Sequence, residues 1–265
     1  MAEWIRDRTA VGLDPRPHWL GRHRHRGPVW SRSRNDTLYS NQKPMTRTEY
    51  QHRLEQLRTD VVEMSDLVCE RLRRALEAYE AKDDALAADV IVGDHEVNDR
   101  YLELERDCLE LLALQQPVAG DLRVIAASFK IITDLERIGD LAVNLGEYTQ
   151  RAERNRYPDI DITYIGERTV EMVETATRAY ADGDAAAARE IAVTDDEIDT
   201  LCENASAVVV RDLLEADLGA GGQPLLDDVS RMLLTLRDIE RIGDHAVNVA
   251  ARTVYMVETD DELIY

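Results

Sequence analysis

The sequence predicts an all-α protein built as two tandem three-helix bundles, six long helices in all. Three observations lead there. Hydrophobic residues make up 44% of the 265-residue chain but aromatics only 5%, and an apolar inventory of Ala, Leu, Val and Ile favours helix packing over sheet. From Thr46 onward the apolar residues recur at helical spacing. Segments of the first half also return in the second half at a fixed separation, which marks a duplicated unit.

Taken in chain order, residues 1–44 stand apart. They hold all three tryptophans, four of the seven prolines and nine Lys+Arg against four Asp+Glu, with no helical or strand period. The stretch is expected to be a disordered basic extension outside the fold, with Met45 opening the body. The first bundle is placed at 45–156. Its helices are separated by breaks at Lys82-Asp83 and at Leu114 to Pro117, and the third ends before Tyr157-Pro158. The second bundle is placed at 157–265, with breaks at Asp182-Gly183 and at Gly219 to Pro224. Pro117, Pro158 and Pro224 each open an apolar-periodic run, where the missing N–H costs nothing. Helices of about 25–40 residues span roughly 40–60 Å and, joined by short turns, form bundles.

The duplication is explicit. Ala78-Tyr79, Asp83 and Val92-Gly93-Asp94 recur 101 residues later as Ala179-Tyr180, Asp184 and Val193-Thr194-Asp195. Asp134-Leu135-Glu136-Arg137-Ile138-Gly139-Asp140 recurs 104 residues later as Asp238-Ile239-Glu240-Arg241-Ile242-Gly243-Asp244. The three added residues fall in the loop around 219–222.

Charge narrows the function. The chain carries −21 overall, and the basic extension leaves the body near −26. A body so acidic repels a phosphate backbone, so general nucleic-acid binding is not expected. Three lysines among 32 basic residues point to a high-salt interior, where self-repulsion is screened. Cys69, Cys108 and Cys202 sit singly in helical patterns, as buried thiols of a reducing compartment do. No apolar run reaches the ~20 residues of a membrane span, and a cytoplasmic location is expected.

The residues with chemistry lie on the third helix of each copy. Leu135, Ile138, Ala142 and Leu145 form its bundle-facing seam, as do Ile239, Ile242, Ala246 and Val249. At about 100° per residue, Glu136, Asp140 and Asn144 stack on a different face, and Glu240, Asp244 and Asn248 do likewise. The second helices add Asp94 with Asn98, and Asp195 with Asp199. Carboxylates four apart repel unless a cation lies between them, and such oxygen donors suit Fe, Mn, Mg, Ca or Zn. The bland reading is a solvated acidic face with Arg137 and Arg241 neutralising their neighbours. Mid-helix Gly139 and Gly243 cost about 1 kcal/mol relative to alanine, which points to close backbone approach. His52, His95 and His245 are expected on the solvated surface, and no symmetric metal role is expected of His245, because its counterpart is Leu141.

Leu114-Gln115-Gln116-Pro117-Val118-Ala119-Gly120-Asp121-Leu122-Arg123, followed by the Asp134–Asp140 segment, resembles the signature of the PhoU family over Met45 to Val257. The resemblance implies two pseudo-symmetric three-helix bundles, often dimeric, with multinuclear Fe or Zn clusters on the bundle surface. It also implies a negative regulator of phosphate uptake, acting with the nucleotide-binding subunit of a phosphate ABC transporter and with a sensor kinase. The metal ligands it implies are Glu136, Asp140, Glu240 and Asp244, supported by Asp94, Asn98, Asp195 and Asp199. Asn98 in place of a carboxylate weakens the first site, and the second copy lacks the Gln-Gln-Pro-Val-Ala run. Two alternatives are a carboxylate-bridged di-metal enzyme, which needs two Glu-x-x-His pairs where only Glu49–His52 fits, and a metal-storing helical scaffold.

Overall fold

A computed structural model describes residues 46–114, 118–151, 157, 159–216 and 222–264. The basic extension 1–44, Pro117, Pro158 and the loop at 219–221 lie outside the described residues. Every regular element among the described residues is a helix: α1 Arg47–Ala81, α2 Asp84–Val92, α3 Asp94–Leu114, α4 Ala119–Gln150, α5 Ile162–Asp182, α6 Ala185–Glu215 and α7 Gly222–Glu258. In the first copy α1 and α4 pack together with α2 and α3 against them. In the second, α5 and α7 pack with α6.

Local chemistry sets the helix ends. Thr46 opens α1 with a capping box, its hydroxyl accepting from the Glu49 N–H while the Glu49 carboxylate accepts from the Thr46 N–H at 2.7 Å. Asp83 and Asp184, 101 residues apart, cap α2 and α6 alike, each carboxylate accepting two backbone N–H groups at 2.9–3.0 Å. The residues before them are left-handed, Gly183 at φ 66° and Lys82 at φ 53°. Pro224 sits in the first turn of α7, where its missing N–H is harmless.

The six expected helices appear as seven segments, because the second helix of the first copy divides at Gly93 while its counterpart α6 runs unbroken through Thr194. Arg71 is buried beneath the break. A Cβ at position 93 would collide with the Arg71 guanidinium, whose Nη2 donates to Glu96 at 2.7 Å. The second copy has Met172 and Thr194 at those two places, and α6 runs on without a break.

The copies are joined by α1 against α5 and by α4 against α7, about a pseudo-twofold axis. The duplication appears in the contacts themselves. Ser65 and Thr177 share a buried hydroxyl bond of 3.0 Å, and at the symmetry-related place Leu76 fills the notch left by Gly166. Arg73 and Glu174, equivalent residues of the two copies, meet at 2.7 Å. Leu135, Ile138, Ala142 and Leu145 of α4 are all buried, as are Ile239, Ile242, Ala246 and Val249 of α7. Several buried hydroxyls find partners inside the fold: Thr149, Thr169, Thr177 and Thr253 donate to the carbonyl four residues back, and the Tyr180 hydroxyl lies 2.6 Å from that of Ser128. Cys69, Cys108 and Cys202 are buried free thiols.

Candidate functional site

Two acidic faces emerge from the duplicated segment, each beside a mid-helix glycine. The second-position helix of each copy packs so tightly on the third that a Cβ on Gly139 would meet Val97 at 3.1 Å, and one on Gly243 would meet Asp195 Oδ1 at 2.7 Å. What lies against each glycine is a side chain of the neighbouring helix, not the close backbone expected of it. The packing brings Asp94 towards Asp140 and Glu136, and Asp195 and Asp199 towards Asp244 and Glu240, all outside the fully buried seam.

The two faces differ electrostatically. In the second, burial raises the Asp195 carboxyl to about 7, reinforced by Asp199, Asp244, Asp196 and Glu240. Asp199 and Glu240 are raised too, first by burial and then by neighbouring carboxylates. Asp195 Oδ1 and Asp199 Oδ1 are buried without a hydrogen-bond partner, an arrangement that costs stability until something positive arrives. Asp196 and Glu203 extend this group beyond the residues singled out from sequence. In the first face, burial raises Glu136 and Asp140, and the carboxylates of Asp140 and Asp94 raise Glu136 further while Arg137 opposes them. Here the Asn98 amide donates to Asp94 at 2.6 Å, so the asparagine answers the charge that a second carboxylate would have doubled.

The donor set of the second face fits a hard cation: four carboxylates from two rigid helices, two of them with orphaned oxygens. Among the described residues no three Asp, Glu, His or Cys side chains already converge as a metal-holding group, so side-chain rotation would have to complete the coordination. The first face fits less well, because Asn98 already satisfies Asp94.

Asn144 and Asn248 correct the sequence reading. Rather than extending the acidic columns, they cross the axis between the copies. Asn144 donates to Asp238 at 3.1 Å and Asn248 to Asp134 at 3.3 Å, a reciprocal pair related by the duplication. Asp238 is fully buried and also accepts from Tyr148 at 2.8 Å and from Arg237 at 2.8 and 3.1 Å. Burial, helped by that bond, pushes the Tyr148 phenol up to about 12. His245 is likewise no surface residue: it is half-buried, with Nδ1 2.9 Å from Asp134. Helical periodicity misplaced these residues because it sees one helix at a time. The recurrence of Asp134 and Asp238 inside the duplicated segment was the one signal that could have flagged them. His95 and His52 are exposed as expected. Glu49, the sole glutamate with a histidine three residues on, holds the α1 cap.

A PhoU domain model matches twice, at residues 61–149 and 162–253. The chain is similar to the phosphate-specific transport system accessory protein PhoU homolog of Clostridium acetobutylicum, 30% identical over 80% of this chain and 96% of the relative. It is likewise similar to homolog 1 of Methanothermobacter thermautotrophicus, 31% identical over 82% and 97%. Among solved structures, Pseudomonas aeruginosa PhoU matches with a TM-score of 0.73 and 30% identity, covering 80% of this chain and all of that one. The Streptococcus pneumoniae phosphate transport system regulatory protein PhoU matches with a TM-score of 0.72 and 25% identity. Two matched domains in tandem, the duplicated helix order and relatives aligned over nearly their whole length place this chain in the PhoU family.

Proposed function

We propose that this protein is a non-catalytic regulator of phosphate transport, which docks on the nucleotide-binding subunit of a phosphate ABC transporter and restrains uptake when phosphate is plentiful. The observation that carries this reading is the tandem PhoU match, together with relatives named as phosphate-specific transport system accessory proteins. A sensor kinase is a second partner of the same kind. No helix among the described residues is long and apolar enough to cross a membrane, which agrees with action on a transporter from outside the bilayer. The test is co-purification of the full chain with the nucleotide-binding subunit from phosphate-replete cells, combined with uptake measurements after gene deletion. Stoichiometric capture and raised uptake are expected; no capture and unchanged uptake would end the proposal.

Asp195, Asp199, Glu240 and Asp244 are proposed to hold a cation of the Fe or Zn class, with Glu136, Asp140, Asp94 and Asn98 as the weaker counterpart. The cation would supply the positive charge that the orphaned Asp195 and Asp199 oxygens lack. Elemental analysis of natively purified protein should find metal that is lost in the Asp195→Asn, Asp199→Asn double variant and retained in Asn98→Ala.

A further inference from the structure

The crossing of α4 and α7 brings equivalent residues of the two copies to one face. Arg137 and Arg241 both line a cleft of about 290 Å³ at the junction of the copies, and the reciprocal bonds of Asn144 and Asn248 tie the copies about the same axis. Inside the chain the two arginines do different things. Arg137 makes no ion pair or hydrogen bond among the described residues and acts on Glu136 and Asp140 only through its field. Arg241 lies 3.6 Å from Asp238, a carboxylate that already accepts shorter bonds from Tyr148, Asn144 and Arg237. No shared internal contact accounts for an exposed arginine at both places.

Val92 and Val193 are alike in the same way. They are equivalent in the repeat, stand two residues before Asp94 and Asp195, and are 73% and 58% exposed. Val92 closes α2 whereas Val193 lies within α6, so their backbone settings differ as well. An exposed valine in a helix gains little burial and is a poorer helix former than Ala, Glu or Lys. Other exposed positions of these helices have lost their likeness: Leu102 corresponds to Glu203, and Glu110 to Arg211. The cation reading accounts for the carboxylates of this face, but neither arginine nor valine is a ligand for such an ion. A partner with two identical surfaces meets both halves at once. The second contact is then intramolecular and gains from the first only while the halves stay alike.

We propose that the face around the pseudo-twofold axis docks a homodimeric protein, one chain per partner dimer, each partner subunit giving a carboxylate to Arg137 or Arg241 and an apolar side chain to Val92 or Val193. Charge complementarity selects the carboxylate. On so acidic a body these two guanidinium groups have no hydrogen-bonded carboxylate of their own among the described residues, and their planar donors match one from outside. The inference rests on the transporter-docking reading and names the form of the partner: a pair of nucleotide-binding subunits presents two such surfaces. It is independent of a metal on either acidic face.

The test is light scattering and titration calorimetry of the full chain with the nucleotide-binding subunit. One chain per two subunits is expected. Arg137→Gln and Arg241→Gln should each weaken binding about tenfold or more, the usual size for a charged hydrogen bond, and by factors within about threefold of each other. Val92→Ser and Val193→Ser should each weaken it about threefold, whereas Leu102→Ser, where the copies have diverged, should leave it unchanged. All five positions are exposed, and unchanged thermal unfolding verifies that each variant folds. Equal numbers of chain and subunit in the complex, a loss from one arginine variant alone, or a loss from neither would overturn the proposal. So would a dimer of this chain by itself that dissociates in the arginine variants, which would assign the face to a second copy. No capture by the unaltered chain would end the docking reading and this inference together; capture with any of the other results ends this inference alone.

Discussion

Replacing Asp238 by alanine removes the most heavily used acceptor between the two copies. In the native protein this fully buried carboxylate accepts from the Tyr148 hydroxyl, the Asn144 amide and two nitrogens of Arg237. Arg237 is 54% exposed and returns to water when its partner goes. Tyr148 is 8% exposed and is stranded, at roughly 1–3 kcal/mol for an unsatisfied buried donor. Asn144, half-buried, loses a charged bond as well. Relief of the carboxylate's own desolvation offsets part of this, leaving a net loss of about 3 kcal/mol. At roughly 2–4 °C per kcal/mol for a body of this size, the melting temperature should fall by about 6–12 °C. Asp134, the duplicated counterpart, accepts among the described residues only from His245 and Asn248, both at Oδ1, and Asp134→Ala should cost about 1 kcal/mol. Urea unfolding of both variants, with a cycle pairing Asp238→Ala and Tyr148→Phe, measures these numbers. If the two aspartates cost the same, or if the cycle shows no coupling, the buried junction does not hold the copies together as described.

Further outcomes follow from the same structure. Asp195 is raised from its ordinary value of 3.8 to about 7, so the native state holds a proton that the unfolded chain has released. The metal-free protein should therefore lose stability relative to Asp195→Asn as pH rises from about 4 to about 7, on the order of 2 kcal/mol after solvent screening, and level off above; parallel pH profiles of the two proteins would contradict this. Gly243→Ala places a Cβ where Asp195 Oδ1 now lies; rotation of that flexible carboxylate relieves the contact, so alanine's better helix propensity, about 1 kcal/mol, should keep stability unchanged or raise it, read by thermal unfolding. Lys82→Gly places glycine where the second copy already has Gly183, in a left-handed conformation, and should stabilise by about 0.5–1 kcal/mol. Cys69, Cys108 and Cys202 are raised to about 12 by burial and should resist a thiol reagent at pH 8 until the protein is unfolded, when all three react.

Much of this architecture could be read from one dimension. Helix composition, capping residues such as Thr46, Asp83 and Asp184, and the repeated Glu-Arg-Ile-Gly-Asp segment are local properties, and local periodicity decides which face of α4 and α7 is buried. The carboxylate pairs at i and i+4 were legible for the same reason. Only the packing of separate helices could decide the rest. Asn144 and Asn248 share a helical face with the acidic columns, yet the crossing of α4 on α7 turns them to the opposite copy, where each meets an aspartate. Gly93 and Thr194 are aligned in the repeat, yet a helix ends at one, over the buried Arg71, and runs through the other. His245 left the solvent for Asp134 because a neighbouring helix offered a buried acceptor, a partner 111 residues away that no spacing rule contains. The sequence by itself determined the helices, their doubling and the acidic rows. The tertiary structure decided which charges face each other, because burial and distance between helices set the strength of every such pair.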